Sequence, residues 1–181
     1  MNSVEPIRNI DTLHAIYEYL KTENPRNYML FMFGTNTARR ISDILPLRIR
    51  DVRDKNVFYI REKKTGKLAE VAINRDLKQA IKAYCRGKRP YDYLFPSRKG
   101  GHIGRVQAYK IMRDVADVFK LDSIGTHTMR KTFGYHFIKN GGSIEVLMEI
   151  LGHSDPAVTR RYIGITSEET RSAVKNFSFF K

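Results

Sequence analysis

Apolar residues at Leu13, Ile16, Tyr17 and Leu20 recur at the three-and-four spacing of one helical face over residues 11–21, with Asp11 placed to cap the first turn. Asn24, followed by Pro25 in the first turn, opens a second helix that runs through the apolar stretch 28–33. Thr37 is positioned to cap a third, whose inward face is Ile41, Ile44 and Leu45 before Pro46. The period then changes. Residues 57–60 (Val-Phe-Tyr-Ile) and 68–73 are short β-branched or aromatic runs flanking Lys63-Lys64-Thr65-Gly66-Lys67, which predicts a β-hairpin with a basic tip. Helical spacing returns after Asn74, a loop with two glycines follows at 96–101, and a helix is predicted near 105–119. The last third reads as successive helices capped by Thr126, Ser143, Ser154 and Ser167 and stopped by Gly141-Gly142 and Gly152. The pattern is that of an α+β chain, mainly helical, with one small antiparallel sheet.

Length and composition narrow this further. The 181 residues, 41% of them hydrophobic, fit one folded domain with a proper core and not a disordered tail. A formal net charge of +14 lies well outside the ordinary range. Such an excess of Lys and Arg gathers polyanions, and binding to DNA gains free energy as condensed counterions are displaced. A membrane surface would suit the charge too, but no apolar run approaches the roughly 20 residues needed to span a bilayer. The single cysteine, Cys85, leaves no internal disulfide framework and no Cys-rich zinc site, and within the helical stretch 77–86 it reads as a packing residue. The polar start carries no signal-peptide pattern, so a reducing cytoplasm is the expected compartment.

The densest chemical signal lies between Thr126 and Tyr162. His127 and Arg130, three apart on a helix, project from one face. Alone the pair is weak, since a surface His beside a solvated Arg is common. It gains weight from Leu151-Gly152-His153-Ser154 and then Thr159-Arg160-Arg161-Tyr162, arranged as turn, capped helix and tyrosine. The run His127-Thr128-Met129-Arg130 with Thr132-Phe133 and Asn140-Gly141 resembles the second conserved block of the tyrosine recombinase (phage integrase) family. The stretch from Leu151 to Tyr162 resembles the block that ends in the family's nucleophile. Upstream, residues 38–47 (Ala-Arg-Arg-Ile-Ser-Asp-Ile-Leu-Pro-Leu) are similar to the first block and place its arginine at Arg40, and Lys64-Thr65-Gly66 matches the hairpin lysine at Lys64. The resemblance covers nearly the whole chain in order and spacing.

That resemblance implies the family's catalytic-domain fold, double-stranded DNA as partner, and site-specific cleavage and rejoining through a covalent 3′-phosphotyrosyl intermediate. Tyr162 is implied as nucleophile, Arg40 and Arg130 as the cations gripping non-bridging phosphate oxygens, His127 as the group taking or relaying the tyrosine proton, His153 as a phosphate hydrogen-bonding partner, and Lys64 as proton donor to the departing 5′-oxygen. Two guanidiniums suit that task because they meet a phosphate bidentately and offset charge in the transition state. With arginines carrying the charge, the expectation is no metal and no cofactor, and no glycine-rich phosphate loop is present. Asp43 either orients neighbouring groups from behind the site or is an exposed partner of Arg39 or Arg40. Lys67, Arg98, Lys99, Arg105 and Lys131 are expected to contact DNA phosphates, or else to be solvated surface charges.

Two positions depart from the pattern. Ala38-Arg39 stands where many members have Gly followed by an apolar residue, and Lys131 occupies a place often held by His. Arg39 leaves a one-residue ambiguity that the spacing to Ile-Ser-Asp resolves toward Arg40. The reading is of a single catalytic domain over 1–181, without the family's N-terminal core-binding domain. Residues 163–181 form a C-terminal helix and tail whose Phe177, Phe179 and Phe180 either fold back or, as in the family, exchange between protomers of a DNA-bound tetramer. The expected setting is a bacterial or phage-encoded, nucleoid-associated cytoplasmic protein. The competing readings are a DNA-binding regulator on the same fold, whose catalytic set would be eroded, and type IB topoisomerase-like relaxation.

Overall fold

The computed structural model describes residues 4–175, 177 and 178. Among these the order is α1 (Ile10–Glu23), α2 (Pro25–Thr37), α3 (Ile41–Ile44), α4 (Ile49–Val52), β1 (Val57–Arg61), β2 (Leu68–Ala72), α5 (Arg75–Tyr84), α6 (Arg105–Phe119), α7 (Thr126–Lys139), α8 (Ile144–Leu151), α9 (Pro156–Ile163) and α10 (Ser167–Lys175). The strands pair antiparallel with Tyr59 opposite Glu70, the expected hairpin. The mainly helical α+β expectation holds. Phe179 and Phe180 lie outside the described residues, and Phe177 is 65% exposed.

Helix α2 runs through the middle. Residues 29–35 are buried on every side of it, and it packs against α1, α5 and α7. The Asn24 side chain accepts from Arg26 N and Asn27 N, with Pro25 at the first helical position, where its missing N–H costs nothing. Thr37 ends this helix and is not the cap of the next, which is Arg40. Its hydroxyl donates back to the Phe33 carbonyl at 2.7 Å, and Ala38 turns the chain with φ +54°. Arg40 therefore sits at the N-cap of the one-turn α3, not inside a longer helix.

Four other caps fall beside their predicted positions. Asn9 caps α1, its side chain accepting from Thr12 N at 2.8 Å, which places Asp11 in the first turn where its charge meets the helix dipole. Asp155 rather than Ser154 caps α9, because Pro156 is suited to the first helical position directly behind it. At α10 the reciprocal pair is Thr166 and Glu169: Glu169 N donates to Thr166 Oγ1 at 3.2 Å and Thr166 N to Glu169 Oε2 at 3.0 Å. Gly125, not Thr126, stands at the N-cap of α7, with Thr126 its first helical residue, while Ser143 caps α8 as predicted.

The largest apolar cluster joins α2, the α3–α4 region, the hairpin, α5 and the start of α6, and buries Cys85. A second joins α1, α2, α6 and α7. The third, small cluster of Ala38, Leu147, Leu151 and Ile163 holds α7, α8 and α9 together, with Phe133 and Tyr162 against it. Gly134 makes this closeness possible, since a Cβ there would stand 2.6 Å from Ile163 Cγ2.

Candidate active site

Helix α7 supplies two groups from adjacent turns. Arg130 is 3% exposed, and its Nη2 donates to the Leu151 carbonyl at 2.6 Å, the last residue of α8. Its Nη1 is buried with no partner. An unpaired buried guanidinium nitrogen is costly unless a ligand completes it, and a phosphate oxygen is the natural acceptor. One turn earlier on the same face, His127 Nδ1 lies 3.3 Å from Tyr162 Oη, within reach of a hydrogen bond whose direction the imidazole tautomer decides.

Tyr162 reaches this point because α9 packs on α7 through Ile163, leaving the preceding side chain half-buried beside Arg130. The turn after α8 places His153 edge-on to the phenol, with ring centroids 5.1 Å apart. Its Nδ1 is 3.1 Å from the hydroxyl of Thr159, which is fully buried and itself donates to the Asp155 carbonyl at 3.0 Å. With the hydroxyl proton committed, Thr159 can only accept, so His153 carries its proton on Nδ1 and presents Nε2 to the site.

The electrostatics mark the same cluster. Burial raises the Tyr162 pKa, while Arg130 and Arg40 pull the other way. Burial lowers His127, reinforced by Arg130, Arg40, Lys131 and Arg105, and lowers His153, reinforced by Arg130 and Arg40. Arg40 thus joins Arg130 as a cation felt by the phenol and both imidazoles. Arg39 is set deeper: its side chain is 9% exposed against 23% for Arg40, it pairs with Glu62 at 3.3 Å, and its Nε is buried without a partner. The geometry favours Arg40 over its neighbour.

Lys64 stands apart from these groups. It is exposed at the hairpin tip, and among the described residues no hydrogen bond or ion pair holds its ammonium. Asp43 is buried, which removes its reading as an exposed partner: Oδ1 accepts from Lys63 N at 3.1 Å and from Ser42 Oγ at 3.2 Å, and Oδ2 lies 4.0 Å from Arg40. Lys67, Arg98, Lys99 and Arg105 are exposed, as phosphate contacts require. Lys131 is not. It is 6% exposed, its ammonium 5.2 Å over the Tyr162 ring, because α7 turns this position inward toward α9. The residue pattern alone assigned no role to Glu62 or Thr159, whose contacts with Arg40 and with His153 depend on how the chain folds; the one signal for Glu62 is its place two residues before Lys64.

Among the described residues no helix is long and apolar enough to cross a membrane, and no three His, Cys, Asp or Glu side chains cluster to hold a metal. Residues 8–169 match the model of the phage integrase family. The chain is 46% identical over 178 residues to a probable integrase/recombinase, YoeC, of Bacillus subtilis, covering 98% of each. It is 31% identical over 144 residues to the tyrosine recombinase XerD of Corynebacterium glutamicum, covering 75% of this chain and 47% of that one. The chain therefore spans nearly all of one relative and about half of the other. Among solved structures it resembles the XerA recombinase, with TM-score 0.77 and 21% identity over 99% of this chain and 66% of that one. It also resembles XerH bound to its difH substrate, with TM-score 0.74 and 19% identity over 94% and 52%. With this fold and these relatives, the chain belongs to the phage integrase family, the tyrosine recombinases.

Proposed function

We propose that this chain cleaves and rejoins double-stranded DNA at specific sites, with Tyr162 forming a 3′-phosphotyrosyl ester. The observation that carries the assignment is the phenol 3.3 Å from His127 Nδ1 and beside a buried guanidinium with an unpaired nitrogen. Tyr162 Oη attacks phosphorus as its proton passes to His127, and the bond to the 5′-oxygen breaks as Lys64 protonates that oxygen. Arg130 Nη1 and Arg40 hold the non-bridging oxygens, and His153, doubly protonated when the phosphate is bound, donates to it from Nε2. Each proton transfer is worth about 10²–10⁴ in rate. Rejoining runs the same steps backward from another strand's 5′-hydroxyl, conserving the ester energy. XerH, a structural relative, is seen bound to its DNA substrate after cleavage.

A duplex nicked beside the scissile phosphate tests the reading, since the short 5′-fragment diffuses away and traps the adduct. Wild type should accumulate a covalent protein–DNA species and Tyr162→Phe should form none. Sequence-specific binding without adduct from wild type would instead fit the regulator.

The tail belongs to the same proposal. Glu169 fastens α10 to α7, accepting from Tyr135 Oη at 2.8 Å and pairing with Lys139 at 3.0 Å. On this reading α10 stays on its own domain, and residues beyond Asn176 dock on a neighbouring protomer of a tetramer assembled on DNA in the bacterial cytoplasm. Deleting those residues should reduce the DNA-bound assembly, read by light scattering, and the adduct yield with it. An unchanged assembly and yield would dismiss the exchange.

A further inference from the structure

The hairpin tip is closed from both sides of Lys64. Glu62 N donates to the Lys67 carbonyl at 2.9 Å, Gly66 N donates to the Glu62 carbonyl at 2.8 Å, and Gly66 takes φ +70°, which a side chain would resist. On one flank, Lys63 N donates to the buried Asp43 Oδ1 at 3.1 Å. On the other, the Thr65 hydroxyl donates to Glu62 Oε2 at 2.9 Å and accepts from Lys67 N at 3.3 Å. The same Glu62 Oε2 accepts from Arg40 Nη1 at 3.4 Å, while Oε1 accepts from Arg39 Nη1 at 3.3 Å. One carboxylate, 14% exposed, therefore ties the turn bearing Lys64 to the arginine that faces the phosphate.

A carboxylate is what this position requires. It is acceptor-only with about four lone-pair sites over two oxygens, enough for a hydroxyl and two guanidiniums, whereas an amide offers one accepting oxygen and two misdirected donors. Burial raises the Glu62 pKa, but the Thr65 hydroxyl and the charges of Arg40 and Arg39 outweigh it and hold the group ionised below its ordinary value. Without it, only the more distant Asp43, 4.0 Å from Arg40, would offset the two guanidiniums beside the cationic hairpin tip.

The geometry points to Glu62 as the positioning residue that fixes the Lys64 turn against Arg40, so that proton donor and phosphate grip reach the scissile phosphate as one unit. This rests on the reading of Lys64 as proton donor. Proton transfer demands heavy atoms about 2.6–3.2 Å apart, and a misplacement of about 1 Å costs on the order of 10²-fold. A lysine at the tip of a two-stranded hairpin has no precision of its own; the carboxylate supplies it.

The test uses two nicked duplexes, one with the natural oxygen at the 5′-bridging position and one with sulfur there. A thiolate is a far weaker base than an alkoxide and departs without a proton, so sulfur removes the need for a general acid. Glu62→Ala, Glu62→Gln, Thr65→Val, Lys64→Ala and Arg40→Ala are compared with wild type for the rate of adduct formation, with thermal unfolding as the check on folding. Glu62→Ala should be slowed about 10–100-fold on oxygen yet fall within about threefold of wild type on sulfur, as should Lys64→Ala. Arg40→Ala should be slow on both. Glu62→Gln and Thr65→Val, which keep the tip's size, should show the same rescue with smaller defects, and they carry the test if the alanine variant does not fold. An equal defect of the Glu62 variants on both substrates, or none on either, overturns the proposal. Restored Lys64→Ala beside unrestored Glu62 variants overturns Glu62 alone. Failure of sulfur to restore Lys64→Ala removes Lys64 as proton donor, and the proposal falls with it.

Discussion

Arg130 divides its guanidinium between structure and chemistry. Nη2 is committed to the Leu151 carbonyl, and Nη1 is buried without a partner, in a side chain whose charge the phenol feels. Lysine offers a single ammonium on a flexible stem and cannot serve both acceptors in fixed geometry. Arg130→Lys should therefore lower the rate of adduct formation about 10²–10³-fold, the range for losing one preorganised donor to a developing oxyanion. Affinity for the same duplex should change far less, because many other cations share that binding. Measuring both by gel shift and adduct trapping checks the split, and loss of affinity in proportion to rate would make Arg130 a binding residue only. At this scale the sequence was readable at His127, Arg130, His153 and Tyr162, which the fold brings into one cluster. It was unreadable where a role depends on what folds against a side chain. Nothing local distinguishes Lys131, turned under the Tyr162 ring, from the exposed Lys67, and nothing in the run to Thr159 announces its hydroxyl beneath His153.

Helices α7 and α9 carry Tyr162 and two of the groups around it, His127 and Arg130, so their spacing sets the site. Gly134 is where they touch: a methyl group there would stand 2.6 Å from Ile163 Cγ2 and 3.5 Å from Leu147 Cδ2. Ile163 is fully buried and cannot swing clear. Gly134→Ala gains helix propensity of about 1 kcal/mol but meets overpacking of about 1–3 kcal/mol. The prediction is a net loss of stability or none, with adduct formation falling more than tenfold as α9 is pushed outward. Denaturant unfolding and adduct trapping on one preparation would show it, and unimpaired cleavage would mean that the site does not depend on this spacing. Elements themselves were largely legible from periodicity, and α6 and the hairpin fall where the pattern put them. At α1 and α9 the misplaced boundaries share a cause: two residues competed for one cap. Asn9 competed with Asp11 and Asp155 with Ser154, while Thr37 satisfied its hydroxyl within the helix behind it.

Over the whole molecule the +14 charge is a long-range attraction, whereas the catalytic cluster is a local one, and the two should separate experimentally. The loop at 96–101 makes the separation possible. It is a built turn, with Ser97 N donating to the Gly101 carbonyl at 3.0 Å, Gly100 N donating to the Ser97 carbonyl at 3.3 Å, and Arg26 donating to the Pro96 carbonyl at 3.0 Å. Gly100 and Gly101 adopt φ +85° and +68°, so the turn holds Arg98 and Lys99 outward in solvent without strain. Cations held this way meet phosphates without ordering a flexible segment first. If both reach the backbone, each releases about 0.9 counterion on binding, and replacing the pair by alanine should flatten the slope of log affinity against log salt by about 2. The loss should be the same on specific and unrelated duplexes, since a phosphate contact carries no sequence information. Binding titrations between about 50 and 200 mM salt, over which a protein making several phosphate contacts weakens by orders of magnitude, resolve such a change. An unaltered slope would place the loop off the DNA and leave Arg105 and Lys67 as the contacts to test next.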